Sequence, residues 1–338
     1  MLPVLNIDTS NPAKAGESLC RALHDTGFLY ILGDVVRVDL LKELVEVSKL
    51  FFAKSLSEKE QLEMRHAGLA WRGYFPPGAE LTMGIPDQKE GLYFGSEHGP
   101  DHPGVLRHWP MHGRNLWPAS SDLKRMQPLV TEYMQSCVAI GQRLLSYVAV
   151  GLDLPKNYFF DRFTDEPTVL FRIFNYPATT PATPGWGVAE HTDMGFLTLL
   201  FQDEKGGLEV LSQDNRWVAV PPIEGTLVIN IGDMLEYWTH GIFRATPHRV
   251  RNPSQSPRLS LPFFFDPNWQ ATLEPISREQ LPAKWLQSIS PDRRKRWDGL
   301  NLHALSSETT YGDFVWSKIR TVFPDLSATK PLTDKRSP

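Results

Sequence analysis

"HTDMGFLTLLFQDEKGGLEVL", residues 191–211, reads as two apolar strands joined by a polar, glycine-containing turn, and its first strand opens on a histidine and an aspartate two positions apart. Side chains at i and i+2 of a strand project to one face, so His191 and Asp193 are expected to converge while Thr192 points away. Imidazole and carboxylate together suit a divalent metal, and a third donor would complete a set. "ATPHRV" supplies one in His248, on another expected strand 55 positions beyond Asp193 (248 − 193). A lone His-x-Asp is as readily structural. His240 also lies nearby, but "WTHG" reads as a hairpin turn at the rim, which ranks it below His248.

Around this stretch, from Val169 onward, short apolar segments recur at intervals of about ten residues, with turn signals at "DEKGG", "SQDN", "PIEG" and "THG". That rhythm predicts a mainly β fold with flanking helices, built on a double-stranded β-helix (jelly-roll) core over residues 169–266. No linker, repeat or charge block divides the chain, so residues 1–338 read as a single domain. Within it we expect an N-terminal α/β layer with loops over 1–120, a helix over 121–152, C-terminal helices over 267–323 and a flexible tail over 324–338. In "PAKAGESLCRALHDTG" Ala15, Leu19, Ala22 and Leu23 share a helix face, with Gly27 as a left-handed stop. Residues 38–53 repeat at helical spacing, Ser57 and Glu60 suggest a capping box, and Pro128 weakens the start of the 121–152 helix. Residues 66–120 read as irregular.

The chain has 338 residues and a formal net charge of −4, so no basic field is available to hold nucleic acid or an anionic membrane. A small-molecule partner is expected. No stretch approaches membrane-spanning length, the N-terminus lacks an export pattern, and Cys20 and Cys137 make no disulfide framework, which together predict a cytoplasmic protein.

Two histidines and a carboxylate on one side of a metal leave the other positions open, the arrangement of non-haem Fe(II) oxygenases. A second, independent feature is "RLSLPFFF", which starts ten residues after His248 and places Arg258 and Ser260 on one strand face. A strand that simply continued would carry Arg258 about 33 Å away. The intervening "RNPSQSP" contains two prolines and turns the chain back instead. An arginine inside an apolar barrel needs an anion, and its fork matches a carboxylate; a buried pair with Asp233 is the structural alternative.

His191-Thr192-Asp193, His248 and Arg258-Leu259-Ser260 resemble the H-x-D, distal H and R-x-S of the isopenicillin N synthase-like branch of Fe(II)/2-oxoglutarate oxygenases. The resemblance extends over nearly the whole chain through "GFLYI" (27–31), "FFAKSLSEK" (51–59), "RGYFPPG" (72–78), "GGLEVL" (206–211), "LVINIGDMLEYWTHG" (227–241) and "PHRV" (247–250). It implies Fe(II) on His191, Asp193 and His248, with 2-oxoglutarate as co-substrate held by Arg258 and Ser260. O2 is then consumed, and oxidation of a small substrate is coupled to release of succinate and CO2. Tyr176 in "FNYP" matches the second tyrosine of the family's N-Y-Y-P motif and is expected to touch the co-substrate, although Phe174 and Asn175 replace the two residues before it.

"GYFPPGAELT", "FRIFNYP" and "IRTVFPDL" are most similar to ethylene-forming and thymine hydroxylase-like oxygenases, which implies Glu80, Thr82, Arg172 and Arg320 near the substrate pocket. Met194 stands where ethylene-forming enzymes carry tyrosine, so hydroxylation is the expected outcome. Phe196, Leu199, Phe263 and Trp238 are expected to pack around the barrel. Four histidines, His98, His102, His108 and His112, read as solvated side chains of a loop that covers the site mouth. Competing readings are an oxidase that does not use 2-oxoglutarate and a non-catalytic jelly-roll binding module.

Overall fold

The computed structural model describes residues 2–7, 11–33, 36–82, 84–178, 186–289 and 308–322. Its strands are β1 (Val4–Asn6), β2 (Phe28–Leu32), β3 (Gly73–Phe75), β4 (Leu81–Thr82), β5 (Ile85–Pro86), β6 (Glu90–Gly95), β7 (Pro167–Tyr176), β8 (Val188–His191), β9 (Leu197–Gln202), β10 (Leu208–Leu211), β11 (Trp217–Val220), β12 (Leu227–Ile231), β13 (His248–Val250) and β14 (Arg258–Asn268). Helices α1 (Pro12–Asp25), α2 (Val38–Phe52), α3 (Leu56–Glu60), α4 (Pro103–Leu106), α5 (Met126–Gly151), α6 (Asp233–Trp238), α7 (Ala283–Leu286) and α8 (Tyr311–Val322) surround them.

An eight-stranded sheet runs β1-β2-β12-β9-β14-β7-β6-β3, and a four-stranded sheet runs β11-β10-β13-β8. From β7 to β14 the chain passes back and forth between the two sheets, which is the double-stranded β-helix the strand rhythm predicts. Alternation along β7 and β14 sorts their side chains. Phe171 packs on Tyr133 of α5 with ring centroids 4.9 Å apart, and the Phe265 ring lies against Gly141 of the same helix. Arg172, Phe174, Tyr176, Arg258 and Ser260 therefore share the opposite face, toward the barrel interior.

Helix α1 buries Ala15, Leu19, Ala22 and Leu23, and Gly27 follows it with φ +66°. Its approach to α5 is set by a glycine: a Cβ on Gly16 would come within 2.6 Å of the Tyr147 carbonyl, so Gly16→Ala would force the helices apart. Pro128 is compatible with α5 because the helix begins at Met126, leaving the proline in a first turn whose N–H groups have no intrahelical acceptor.

Three expectations are corrected. The capping box is Ser55 with Glu58, two residues earlier than Ser57 and Glu60, because Ser55 holds the extended N-cap backbone and accepts from the Glu58 N–H. Residues 66–120 are not uniformly irregular: β3 and β6 extend the large sheet through pairing of β6 with β7. Those strands are short and glycine-flanked, and their partner is about eighty positions away, so no local pattern marks them. His240 lies in no hairpin; it follows α6 with φ +49° and its Nε2 bonds the Ile276 carbonyl. The tail at 324–338 lies outside the described residues, as does part of the 267–323 segment.

Candidate active site

Residues 57 positions apart (248 − 191) meet because β13 pairs with β8 and His248 stands directly opposite His191, with ring centroids 4.2 Å apart. The strand β8 ends at His191, so Asp193 stands two residues beyond it, just before the bend at 194–196 that leads into β9. Its position is fixed from below. Asp193 Oδ2 accepts from Thr198 Oγ1 at 2.6 Å and from Asn230 Nδ2 at 2.7 Å, on neighbouring strands β9 and β12. Its Oδ1 is left facing the imidazoles, 3.8 Å from His191 Nε2 and 3.7 Å from His248 Nε2.

The far ring nitrogens settle which lone pairs point inward. His191 Nδ1 bonds the Ala189 carbonyl at 2.8 Å and His248 Nδ1 bonds the Thr246 carbonyl at 3.2 Å. A carbonyl accepts only, so each Nδ1 carries the hydrogen and each Nε2 presents a lone pair toward Asp193 Oδ1. Burial and the neighbouring His248 ring push the His191 imidazole down to about 4, toward the neutral form a metal requires. Burial would raise the Asp193 carboxyl, but attraction to the His248 and His191 rings when they carry a second proton, together with the Thr198 and Asn230 hydrogen bonds, outweighs it and holds the carboxyl below its ordinary value in the metal-free site. Two imidazoles and one carboxylate, each already supported on its far side, fit a non-haem Fe(II) ion.

Arg258 opens β14, opposite Tyr176 on β7, and Ser260 stands between Phe174 and Gln202. The loop before them is tied by Asn252, whose Nδ2 donates to the carbonyls of Pro177 and Ser256. Arg258 is fully buried; its Nε donates to the Gly206 carbonyl, its Nη2 reaches Gln202 Oε1 at 3.4 Å, and its guanidinium lies 4.8 Å over the Tyr176 ring. These contacts replace the alternative of an ion pair with Asp233. Nη1 is buried without a hydrogen-bond partner, a costly state that an incoming anion would relieve. Tyr176 is itself buried, and burial raises its hydroxyl above the ordinary value.

Glu80, Thr82 and Arg172 come together in a buried charge network that includes two residues the sequence reading missed. Glu80 bridges Lys89 Nζ at 2.7 Å and Arg172 Nη1 at 3.2 Å; Lys89 also pairs with Asp87, whose Oδ2 accepts from Thr82 Oγ1 at 2.9 Å. Burial pushes the Asp87 carboxyl up to about 6 against the pull of Lys89, while Lys89 and Arg172 keep Glu80 below its ordinary value despite burial. Lys89 Nζ lies 4.8 Å over the Phe174 ring, and the neighbouring Gln88 N–H donates to the Trp186 carbonyl just ahead of β8, so the network lies beside the strand that carries His191. Charged residues leading straight into an apolar strand, "DQKEGLYFG", were the available signal for Asp87 and Lys89. Arg320 does not join them; it is exposed on α8.

Of the four loop histidines, His108 is exposed, whereas His98, His102 and His112 are half-buried and stack together. This corrects the expectation of solvated side chains. Burial, then His112 and Arg72, push His98 down to about 3. The loop's contacts run to Glu166 and Trp269, at the ends of β7 and β14 away from Arg258.

Phe196 and Trp238 are buried in edge-to-face contact, and Leu199 and Phe263 are buried partners across β9 and β14. Among the described residues, no helix is long and apolar enough to cross a membrane.

Comparison with known proteins agrees with this geometry. The model of the 2OG-Fe(II) oxygenase superfamily matches residues 167–267, and that of the non-haem dioxygenase N-terminal region, described from morphine synthesis, matches residues 2–120. A Dictyostelium discoideum protein described as "Probable iron/ascorbate oxidoreductase" is 39% identical, with 96% of this chain and 95% of the relative covered. A homoarginine-6-hydroxylase of Glycine max is 30% identical over 92% of this chain and 89% of its own. A full-length Neurospora crassa protein, solved in complex with α-ketoglutarate and thymine, superposes with a TM-score of 0.72 at 27% identity, covering 83% of this chain and 92% of that one. With a relative this similar along nearly its whole length, and the same superfamily matched over the barrel, the chain belongs to the 2OG-Fe(II) oxygenase superfamily.

Proposed function

We propose that the protein hydroxylates a small polar molecule, with His191, Asp193 and His248 as the iron ligands and Arg258, Ser260 and Tyr176 as the seat of 2-oxoglutarate. Iron and 2-oxoglutarate supply the O2-dependent oxidation, with succinate and CO2 as by-products. Arg258 carries the reading. Its buried Nη1 has no partner, and the guanidinium sits at the closed end of the same interior face that leads to the triad, where it binds and orients the co-substrate's distal carboxylate. Ser260, two residues along β14, and Tyr176, under the guanidinium, line the same end. Thr198 and Asn230 hold Asp193 in place, and the Ala189 and Thr246 carbonyls fix the imidazole tautomers.

The substrate is met by the Glu80–Lys89–Asp87–Arg172 network, whose two acids and two bases balance in charge. Balanced, buried charge favours a small zwitterionic or hydrogen-bonding molecule over an apolar one. The homoarginine-6-hydroxylase and 1-aminocyclopropane-1-carboxylate oxidase relatives, named for amino-acid substrates, support that class. A cytoplasmic setting is favoured by Cys20 and Cys137, both buried and unbridged.

The 1-aminocyclopropane-1-carboxylate oxidase name among the relatives keeps a second reading in view: oxidation without 2-oxoglutarate. Succinate release by anaerobically iron-loaded protein, supplied with 2-oxoglutarate, O2 and a library of amino acids and nucleobases, separates the two. Succinate is the expected product; substrate oxidation and O2 consumption with no succinate would favour the oxidase. Arg258→Ala should raise the KM for 2-oxoglutarate by roughly 10–100-fold, the worth of a charge-assisted contact, and an unchanged KM would move the anchor elsewhere.

A further inference from the structure

We propose that His98, His102 and His112, with Glu166 at their edge, form a second divalent-cation site of zinc-like chemistry, apart from the iron centre, that pins the 98–112 loop to the barrel. Each of the three offers one ligand nitrogen within 4.8 Å of the other two, the same spacing that groups His191, Asp193 and His248. Their rings stack with centroids 4.3, 4.7 and 5.5 Å apart. All three Nδ1 atoms face the chain's own backbone: His98 toward the Gly113 N–H at 3.4 Å, His102 toward the Gly104 N–H at 3.0 Å and His112 toward the Pro110 carbonyl at 2.8 Å. The Nε2 atoms are therefore the free ends, and the one on His102 already meets Glu166 Oε1 at 2.8 Å. A cavity of about 190 Å3 opens beside them, walled by Trp109 and Trp269, and leaves room for an ion and a water.

Three imidazoles and a carboxylate are a donor set for four-coordinate Zn2+ or Co2+. Arg72 lines the same cavity and its charge opposes a cation, but its guanidinium is turned to the Ser96 and Met111 carbonyls and to Asn115. Proton placement limits the affinity. His112 is preset, since its Nδ1 donates to a carbonyl; His98 and His102 accept at Nδ1, so ligation through Nε2 moves a ring hydrogen and gives up two backbone contacts. The site is accordingly weaker than the iron triad and removable by chelator.

The test uses untagged full-length protein carrying His191→Ala and Asp193→Ala, which empties the iron centre, stripped with chelator and titrated with Co2+ under visible absorption. One equivalent with the intense absorption of four-coordinate cobalt is expected, and adding His112→Ala or His98→Ala should weaken it at least tenfold. Glu166 is largely exposed, so Glu166→Gln cannot disturb packing and serves where a histidine variant fails to fold; several-fold weaker binding is expected. No such absorption in the double variant, or an affinity unchanged by His112→Ala or by Glu166→Gln, would overturn the proposal.

Discussion

Two places in this molecule gather three metal-binding side chains within the same 4.8 Å, yet they are prepared very differently. At the barrel, both histidines donate Nδ1 to carbonyls and the carboxylate is gripped by Thr198 and Asn230, so every inward atom is already a free acceptor. In the loop, one of three imidazoles is so prepared, and the acid, Glu166, is largely solvent-exposed. Proximity alone thus says little about a metal site; the partner on the far side of each ligand decides whether binding must first rearrange the protein.

The largest effect that bears on this contrast comes from removing the barrel's only triad carboxylate. Asp193→Ala should strip bound iron and cut 2-oxoglutarate turnover by well over ~100-fold, beyond the loss typical of supporting partners, while circular dichroism stays unchanged. Retained iron and turnover would mean that preparation by hydrogen bonds has been misread. Next in size, Asn230→Ala or Thr198→Ala should lower iron affinity roughly 10–100-fold in a competitive chelator titration, because each frees Asp193 Oδ2 from a bond that aims Oδ1. An affinity equal to that of the parent protein would show that the carboxylate aims itself.

A smaller effect concerns Asp266, which lies beside the triad without belonging to it. Burial pushes this carboxyl up to about 7, even though the Tyr311 hydroxyl and the Phe196 N–H donate to it. The folded protein therefore holds a proton that the unfolded chain has released. That contribution is fully present below the ordinary carboxyl range and fades as pH rises through about 7. Iron-free protein should lose up to ~4 kcal/mol of stability from this group between pH 4 and 8, read from urea midpoints. Asp266→Asn should flatten that slope, and an unaltered slope would place the titration on another residue.

Much of this was written in the chain. The strand rhythm from Val169 onward marked the jelly roll, since strands that alternate between two sheets each carry an apolar face and end on turn residues. His248 was harder: only its pairing with His191 across β8 and β13 joins them, and a register is not visible in either strand alone. Arg258 could be flagged because a charge in an apolar strand is conspicuous. Lys89 and Asp87 escaped because their charges cancel within a segment that reads as loop, and Arg320 was drawn in by likeness although its helix turns it to solvent. The stacking of His98, His102 and His112 depends on a loop folding back on itself, which irregular spacing hides.

The central claim is that one ferrous ion sits between His191, Asp193 and His248. Anomalous diffraction at the iron edge, from crystals loaded anaerobically with one equivalent of Fe(II), tests it most directly. A single strong peak within bonding distance of both Nε2 atoms and of Asp193 Oδ1 is the predicted result. Contradiction would be iron density elsewhere, at the loop histidines for instance, with none between those three side chains.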